Sequence, residues 1–146
     1  MGLDMYLDRE IYIGNEHKKP ESQIEIKVAG VNQAKVVKIT ERAGYWRKAN
    51  AIHHWFVENV QDGKDECQRS YVSVEQLQEL LELVEEVLTD HSLAEEKLPC
   101  VGGFFFGGTD YDEYYFKDLQ DTKQILNDAI ANSIANGGEF YYQASW

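Results

Sequence analysis

One stretch concentrates the side chains able to do chemistry: Gly44-Tyr45-Trp46-Arg47-Lys48-Ala49-Asn50-Ala51-Ile52-His53-His54-Trp55-Phe56-Val57. Aromatic faces stack on bases, Asn reads donor–acceptor edges, and Arg or Lys meets phosphate. Together with Tyr111, Tyr114 and Tyr115, this set suits a nucleotide-like small ligand. The same residues also have a purely structural reading. Asn50 and His53 could sit inside a core, satisfied by backbone groups or tyrosine hydroxyls. The sequence leaves both open.

Other chemistries fit less well. His53 and His54 are adjacent, so on a helix they point about 100° apart and cannot share one ion. No HxxxH, HExxH or CxxC spacing occurs, so no metal site and no cofactor is expected. Cys67 with His53 would make a nucleophilic dyad only if the intervening loop folds back. The pairs Gly102-Gly103 and Gly107-Gly108 match neither a P-loop nor GxGxxG. Asp110 and Asp112 follow them at a helix start, where carboxylates favour the helix dipole and repel phosphate. A hydrolase or transferase using His53 with Asp110 or Asp112 is a third reading, without a complete catalytic motif behind it.

The elements that must position these residues are read from periodicity. Residues 3–13 alternate as an opening strand, with Leu3, Met5 and Leu7 on one face. Residues 23–28 alternate as Ile24, Ile26 and Val28; a turn at residues 29–32 and a returning strand at residues 35–40 would complete a hairpin. A helix over residues 46–60 puts Trp46, Ala49, Ile52, His53, Phe56, Val57 and Val60 in one inward sector, with Asn50 on its margin. Trp55 falls opposite, near Arg47, Lys48, His54 and Glu58, either covered by another segment or offered to a ligand. Ser73 and Gln76 form a capping box, Val72 and Leu77 a hydrophobic staple, and a helical stripe runs to Thr89. Three Phe between two Gly pairs suggest a short buried strand at residues 104–106. A long helix is expected from Asp112 to Asn136, then a last strand over residues 139–146. The architecture is a single α+β domain over residues 1–146, an antiparallel sheet of four to five strands packed against three helices.

Charge and composition limit the partners. The chain of 146 residues is 43% hydrophobic and carries a net charge of −12. Residues 1–50 hold nine Lys/Arg against seven Asp/Glu, and residues 51–146 hold five against nineteen. General nucleic-acid binding is not expected, since that affinity comes from neutralising phosphates. The acidic part either keeps the protein soluble or faces a basic partner. No run approaches the roughly 18 apolar residues of a membrane span. The start, Met1-Gly2-Leu3-Asp4-Met5-Tyr6, lacks the pattern of a secretory signal, and Tyr6 stands where myristoylation wants Ser or Thr. A cytoplasmic protein with two free thiols, Cys67 and Cys100, is expected. A homo-oligomer is compatible with all of this.

The start Met1-Gly2-Leu3-Asp4-Met5-Tyr6-Leu7 and the run Trp46-Arg47-Lys48-Ala49-Asn50-Ala51-Ile52-His53-His54-Trp55-Phe56 resemble a family of small uncharacterised proteins carried by bacteriophages and bacterial mobile elements. So do the helix opening Tyr71-Val72-Ser73, the segment Gly103-Phe104-Phe105-Phe106-Gly107, and Thr109-Asp110-Tyr111-Asp112. The resemblance implies a phage accessory protein acting in the host cytoplasm, where such proteins blunt host immunity by binding a host protein or sequestering a nucleotide signal. The leading expectation is a non-enzymatic binder with a pocket between residues 46–57 and residues 104–115. There Trp46 and Tyr111 would stack, Arg47 or Lys48 would meet phosphate, and Asn50 and His53 would give polar specificity. Trp55, Phe105, Asp110, Asp112 and Tyr115 complete the expected ligand contacts. The alternative is an acidic inhibitor of a host defence protein.

Overall fold

Alternation governs the first strand. In the computed structural model, which describes residues 2–103 and 106–146, Leu3, Met5 and Leu7 are wholly buried on one side of β1 (Asp4–Tyr12) and its lead-in. β1 pairs antiparallel with β2 (Lys38–Arg47) on one side and β4 (Glu139–Ser145) on the other. The short β3 (Ser70–Val72) adds to the far side of β4, giving the order β2-β1-β4-β3. Among the described residues four helices complete an α+β domain: α1 (Asn50–Val60), α2 (Val74–Thr89), the one-turn α3 (Ala94–Lys97) and α4 (Glu113–Asn136). They bury the sheet face carrying Met5, Leu7, Trp46, Phe140, Tyr142 and Ala144, while Tyr45 and Tyr71 on the other face stay exposed. The rings of Phe56 on α1 and Tyr142 on β4 stack at 3.9 Å between centroids. The α3 turn was not expected; it forms within the 90–99 connection.

Two local expectations are overturned. Residues 23–28 form no strand, and Ile24 and Val28 are 44% and 60% exposed. Side chains replace the missing ladder. Asn15, fully buried, donates from Nδ2 to the carbonyls of Ile24 (2.8 Å) and Gln33 (3.0 Å) and accepts the Ile24 N–H at Oδ1 (2.9 Å). Gln33 Oε1 accepts the Ile26 N–H. The alternation was real, but no partner strand reaches it, so the side chains of Asn15 and Gln33 hold this loop. Asn15→Ala is therefore expected to lower stability by about 2–3 kcal/mol, because three backbone groups lose their partner. A urea midpoint unchanged from wild type would show that the loop is held by other contacts.

The second correction concerns Trp46 and Arg47. They lie on β2, opposite Met5 and Asp4, and the helix begins only at Asn50. Cross-strand pairing with β1 outweighs the helical spacing that these residues share with those after them. Trp46 still faces the core, because strand alternation and helical projection agree on its direction. β2 carries a bulge at Ala43, opposite Leu7 and Asp8. Beside it, Gly44 lies so close beneath α4 that a Cβ there would come within 2.5 Å of Ile125 Cγ2. No helix is long and apolar enough to cross a membrane among the described residues.

Candidate ligand cleft

The turn from β2 into α1 forms one wall of a cleft of about 320 Å³. Lys48 makes the turn with φ +58°, a left-handed conformation that costs a non-glycine residue of order 1 kcal/mol. Its backbone is held on both sides: the N–H donates to Leu3 O (2.8 Å) and the carbonyl accepts the Asn50 N–H (2.9 Å). Arg47 and Lys48 stand exposed beside the first turn of α1. Ala49 occupies the cap position and offers no side-chain acceptor. This wall therefore combines two cations with the partial positive charge of a helix N-terminus.

The floor is the loop after α3, and Asn50 fixes it. At 5% exposure, Asn50 donates from Nδ2 to the carbonyls of Phe106 (3.1 Å) and Gly108 (2.8 Å) and accepts the Val101 N–H at Oδ1 (3.0 Å). All of its near hydrogen-bonding capacity goes to this loop. Gly107, at φ +86°, passes 3.2 Å from Lys48 Cβ, measured from where its own Cβ would be, so a side chain there would be both strained and crowded.

The opposite wall is α4 and its lead-in. Asp112 caps the helix, accepting the N–H groups of Tyr114 (3.1 Å) and Tyr115 (3.2 Å). Tyr115 donates its hydroxyl to Leu98 O (2.8 Å), and Tyr111 Oη accepts the Cys100 N–H (3.1 Å), so these two rings brace residues 98–100. Burial holds the Tyr115 hydroxyl well above its ordinary range. Tyr114, highly exposed, and Asp118, half-buried, line the cleft one turn apart. Burial pushes the Asp118 carboxyl up to about 6; the neighbouring Asp121 adds to this, Lys117 opposes it, and Asp112 contributes further. The Cys100 thiol, also in the cleft, is pushed up first by burial and then by Asp112, Asp110 and Asp118. It is a poor nucleophile in this setting.

The elevated Asp118 pKa has a consequence for stability. Its folded-state value lies above the ordinary 3.8, so charging it opposes folding, and stability falls as pH rises from about 4 to about 6. Asp118→Asn removes the charge. At pH 7.5 it is expected to raise Tm by about 3 °C and to flatten that part of the pH–stability curve. An unchanged Tm would mean that solvent already relieves the carboxylate.

Of the eleven ligand contacts expected from the sequence, Arg47, Lys48, Asn50, Asp110, Asp112 and Tyr115 come together around this cleft. Phe105, like Phe104, lies outside the described residues. Trp46, expected to stack on a ligand, is buried in the core and donates its indole N–H to Thr122 Oγ1 at 2.8 Å. Tyr111 packs edge-on against Tyr115 rather than opposite Trp46. Trp55 is only 6% exposed and, with Lys97, Leu98 and Pro99, lines a hollow of about 120 Å³.

His53 leaves the site altogether. It is 1% exposed, with Nε2 2.9 Å from Asp65 Oδ2 and Nδ1 2.7 Å from Tyr142 Oη. A carboxylate only accepts, so Nε2 carries a proton toward Asp65; in the neutral imidazole Nδ1 then accepts from the Tyr142 hydroxyl. Burial, reinforced by Asp65, keeps that hydroxyl protonated. Asp65 also accepts the Trp146 indole N–H at 2.9 Å, and Phe106 meets the imidazole edge-on. The carboxylate partner of His53 is thus Asp65, whereas Asp110 is exposed and Asp112 caps α4. Cys67 is not among the partners of His53, and both cysteines are free thiols. Among the described residues, no three His, Cys, Asp or Glu side chains gather as a metal site.

No family model, no curated protein and no solved structure matches this chain.

Sequence reasoning passed over Asp118 and Cys100 in the cleft, and Asp65 and Tyr142 around His53; Tyr114, named with the aromatic set, does line the cleft. A signal existed for Asp118. Helical spacing from the inward Tyr115, Leu119 and Thr122 places it on the margin of the buried stripe, where a carboxylate is costly.

Proposed function

We propose that this protein is a non-enzymatic binder of the phage accessory type, and that its cleft takes up one nucleotide-like small molecule inside a bacterial host. The observation that carries this reading is the wall made by Arg47, Lys48 and the uncapped first turn of α1, which suits a phosphate. The cleft volume of about 320 Å³ lies at the lower end of the roughly 300–1,000 Å³ of small-molecule sites, room for one compact ligand. A binding role fits better than catalysis. The described residues of the cleft offer no base beside a nucleophile, because His53 is buried elsewhere and the Cys100 thiol is raised. Capture of a host nucleotide signal would make the protein a counter-defence factor, in keeping with the phage family it resembles.

Thermal-shift screening against linear and cyclic nucleotides tests this. A true ligand at about 100 times its Kd should raise Tm by roughly 8 °C. The rise should vanish in the Arg47→Glu, Lys48→Glu double variant. Silence across a broad panel would overturn the reading.

A second reading, an acidic inhibitor of a host protein, is favoured by α2. Its exposed side carries Glu75, Glu79, Glu82 and Glu86 in a chain of net charge −12. Such a complex should weaken steeply with salt and be lost in Glu79→Lys, Glu82→Lys. A salt-insensitive complex would count against it.

A further inference from the structure

Resting on the reading of the cleft as a nucleotide site, we infer that Asp118 is its base-reading residue and that the base it selects is guanine. The two signs of charge in the cleft come from different elements. Arg47 and Lys48 stand at the end of β2 and the start of α1, whereas the carboxylates lie on α4 and its lead-in: Asp110 exposed, Asp112 capping the helix, and Asp118 half-buried in the wall. A ligand that satisfies both walls carries an anion at one end and hydrogen-bond donors at the other.

Asp118 itself lacks a donor. Its carboxylate makes no hydrogen bond and no ion pair among the described residues. The nearby Lys117 is engaged with Asp121 at 2.7 Å, and Asp112 is committed to capping α4. Half-buried on the cleft wall and unpaired with a protein donor, this carboxylate is placed to accept donors from an occupant of the cleft.

The chemistry of that donor is restrictive. An ionised carboxylate only accepts, through two parallel oxygens. Guanine presents two adjacent donors, N1–H and the N2 amino group. Adenine and cytosine present a donor beside an acceptor, and uracil one donor between two acceptors. Guanine is the common base whose edge matches. Tyr114, one helical turn before Asp118 and highly exposed, offers a ring for the base to stack on. A guanidinium bearing a carboxylate, as in free arginine, shares this chemistry and is separated by the experiment.

Isothermal titration of the intact protein at pH 7.5 with GMP, IMP, AMP, XMP and free arginine tests the inference. GMP is expected to bind best. IMP, which lacks the N2 amino group, should bind at least about tenfold more weakly, and AMP more weakly still. In Asp118→Asn the side chain becomes one acceptor beside one donor. In the pose that guanine takes, xanthine places N1–H and O2 where guanine has N1–H and the N2 amino group, whereas adenine has an acceptor and a C–H there, so preference should invert from GMP to XMP. A Tm at or above that of wild type confirms that the variant is folded. Equal binding of all the nucleotides, tighter binding of arginine than of GMP, or an unchanged rank order in Asp118→Asn overturns the assignment of guanine while the cleft remains a ligand site. If the nucleotides all fail to bind, both this inference and the nucleotide reading fall.

Discussion

Asn50→Ala is expected to lower stability by about 3 kcal/mol and to release the loop of residues 101–108. Three contacts disappear together: the N–H of Val101 and the carbonyls of Phe106 and Gly108 lose the one side chain that joins them. Each lost bond to a partly buried backbone group is worth about 1 kcal/mol or more. The loop can turn some of these groups toward water, which keeps the total near the lower end. Asn50→Asp gives a sharper test of the geometry. It keeps the acceptor for Val101 but sets a carboxylate oxygen against two carbonyls, so it should be more harmful than alanine despite being closer in shape. Urea denaturation measures the loss, and amide exchange at residues 101–108 reports the loop. An alanine variant within about 0.5 kcal/mol of wild type would show that Asn50 does not hold the floor of the cleft.

The other large effect lies at His53. His53→Ala removes a fully buried imidazole and strips partners from Asp65 and from the Tyr142 hydroxyl, which sits beside the Phe56 stack. Cavity and lost polar contacts together should cost about 4 kcal/mol. Tyr142→Phe keeps the stack but leaves Nδ1 of the imidazole without its donor, at about 2 kcal/mol. Because both substitutions break the same bond, the double variant should be less destabilised than their sum by about 1 kcal/mol or more. Strict additivity in that cycle would mean that the two groups do not interact in the folded protein.

Legibility in the sequence divides by how local the cause is. The α2 start was readable because its capping box is made within four consecutive residues, Ser73 to Gln76, and both of its bonds are present. The α4 start was readable for the same reason, since Asp112 caps the N–H groups just after it. Leu3, Met5 and Leu7 announced a buried face by alternation alone. The boundary between β2 and α1 was not legible, because Trp46 and Arg47 are fixed by register with Met5 and Asp4, far away in the chain. Residues 24–28 alternate as well as a strand does, but the partners they find are the side chains of Asn15 and Gln33. In the cleft, the cations and Asn50 stood out by type, and their meeting with residues 107–112 follows the expected pairing of the two segments. The partner of His53 did not stand out. Asp65 is an ordinary acidic residue in a polar loop, and only the path of that loop over α1 makes it the imidazole's carboxylate.

The order β2-β1-β4-β3 also bears on how the chain reaches this state. The two central strands, β1 and β4, are drawn from nearly opposite ends of the sequence. β1 can pair early with β2, but its second edge stays open until residues 139–145 have been synthesised. Non-local pairing of this kind slows folding, because loop-closure entropy is lost before the contacts that reward it are made. Tyr142, the hydroxyl partner of His53, arrives with that same strand. Nδ1 of the imidazole therefore waits for its partner until the last strand is made, and an open strand edge persists meanwhile, the interval in which a nascent chain most readily aggregates.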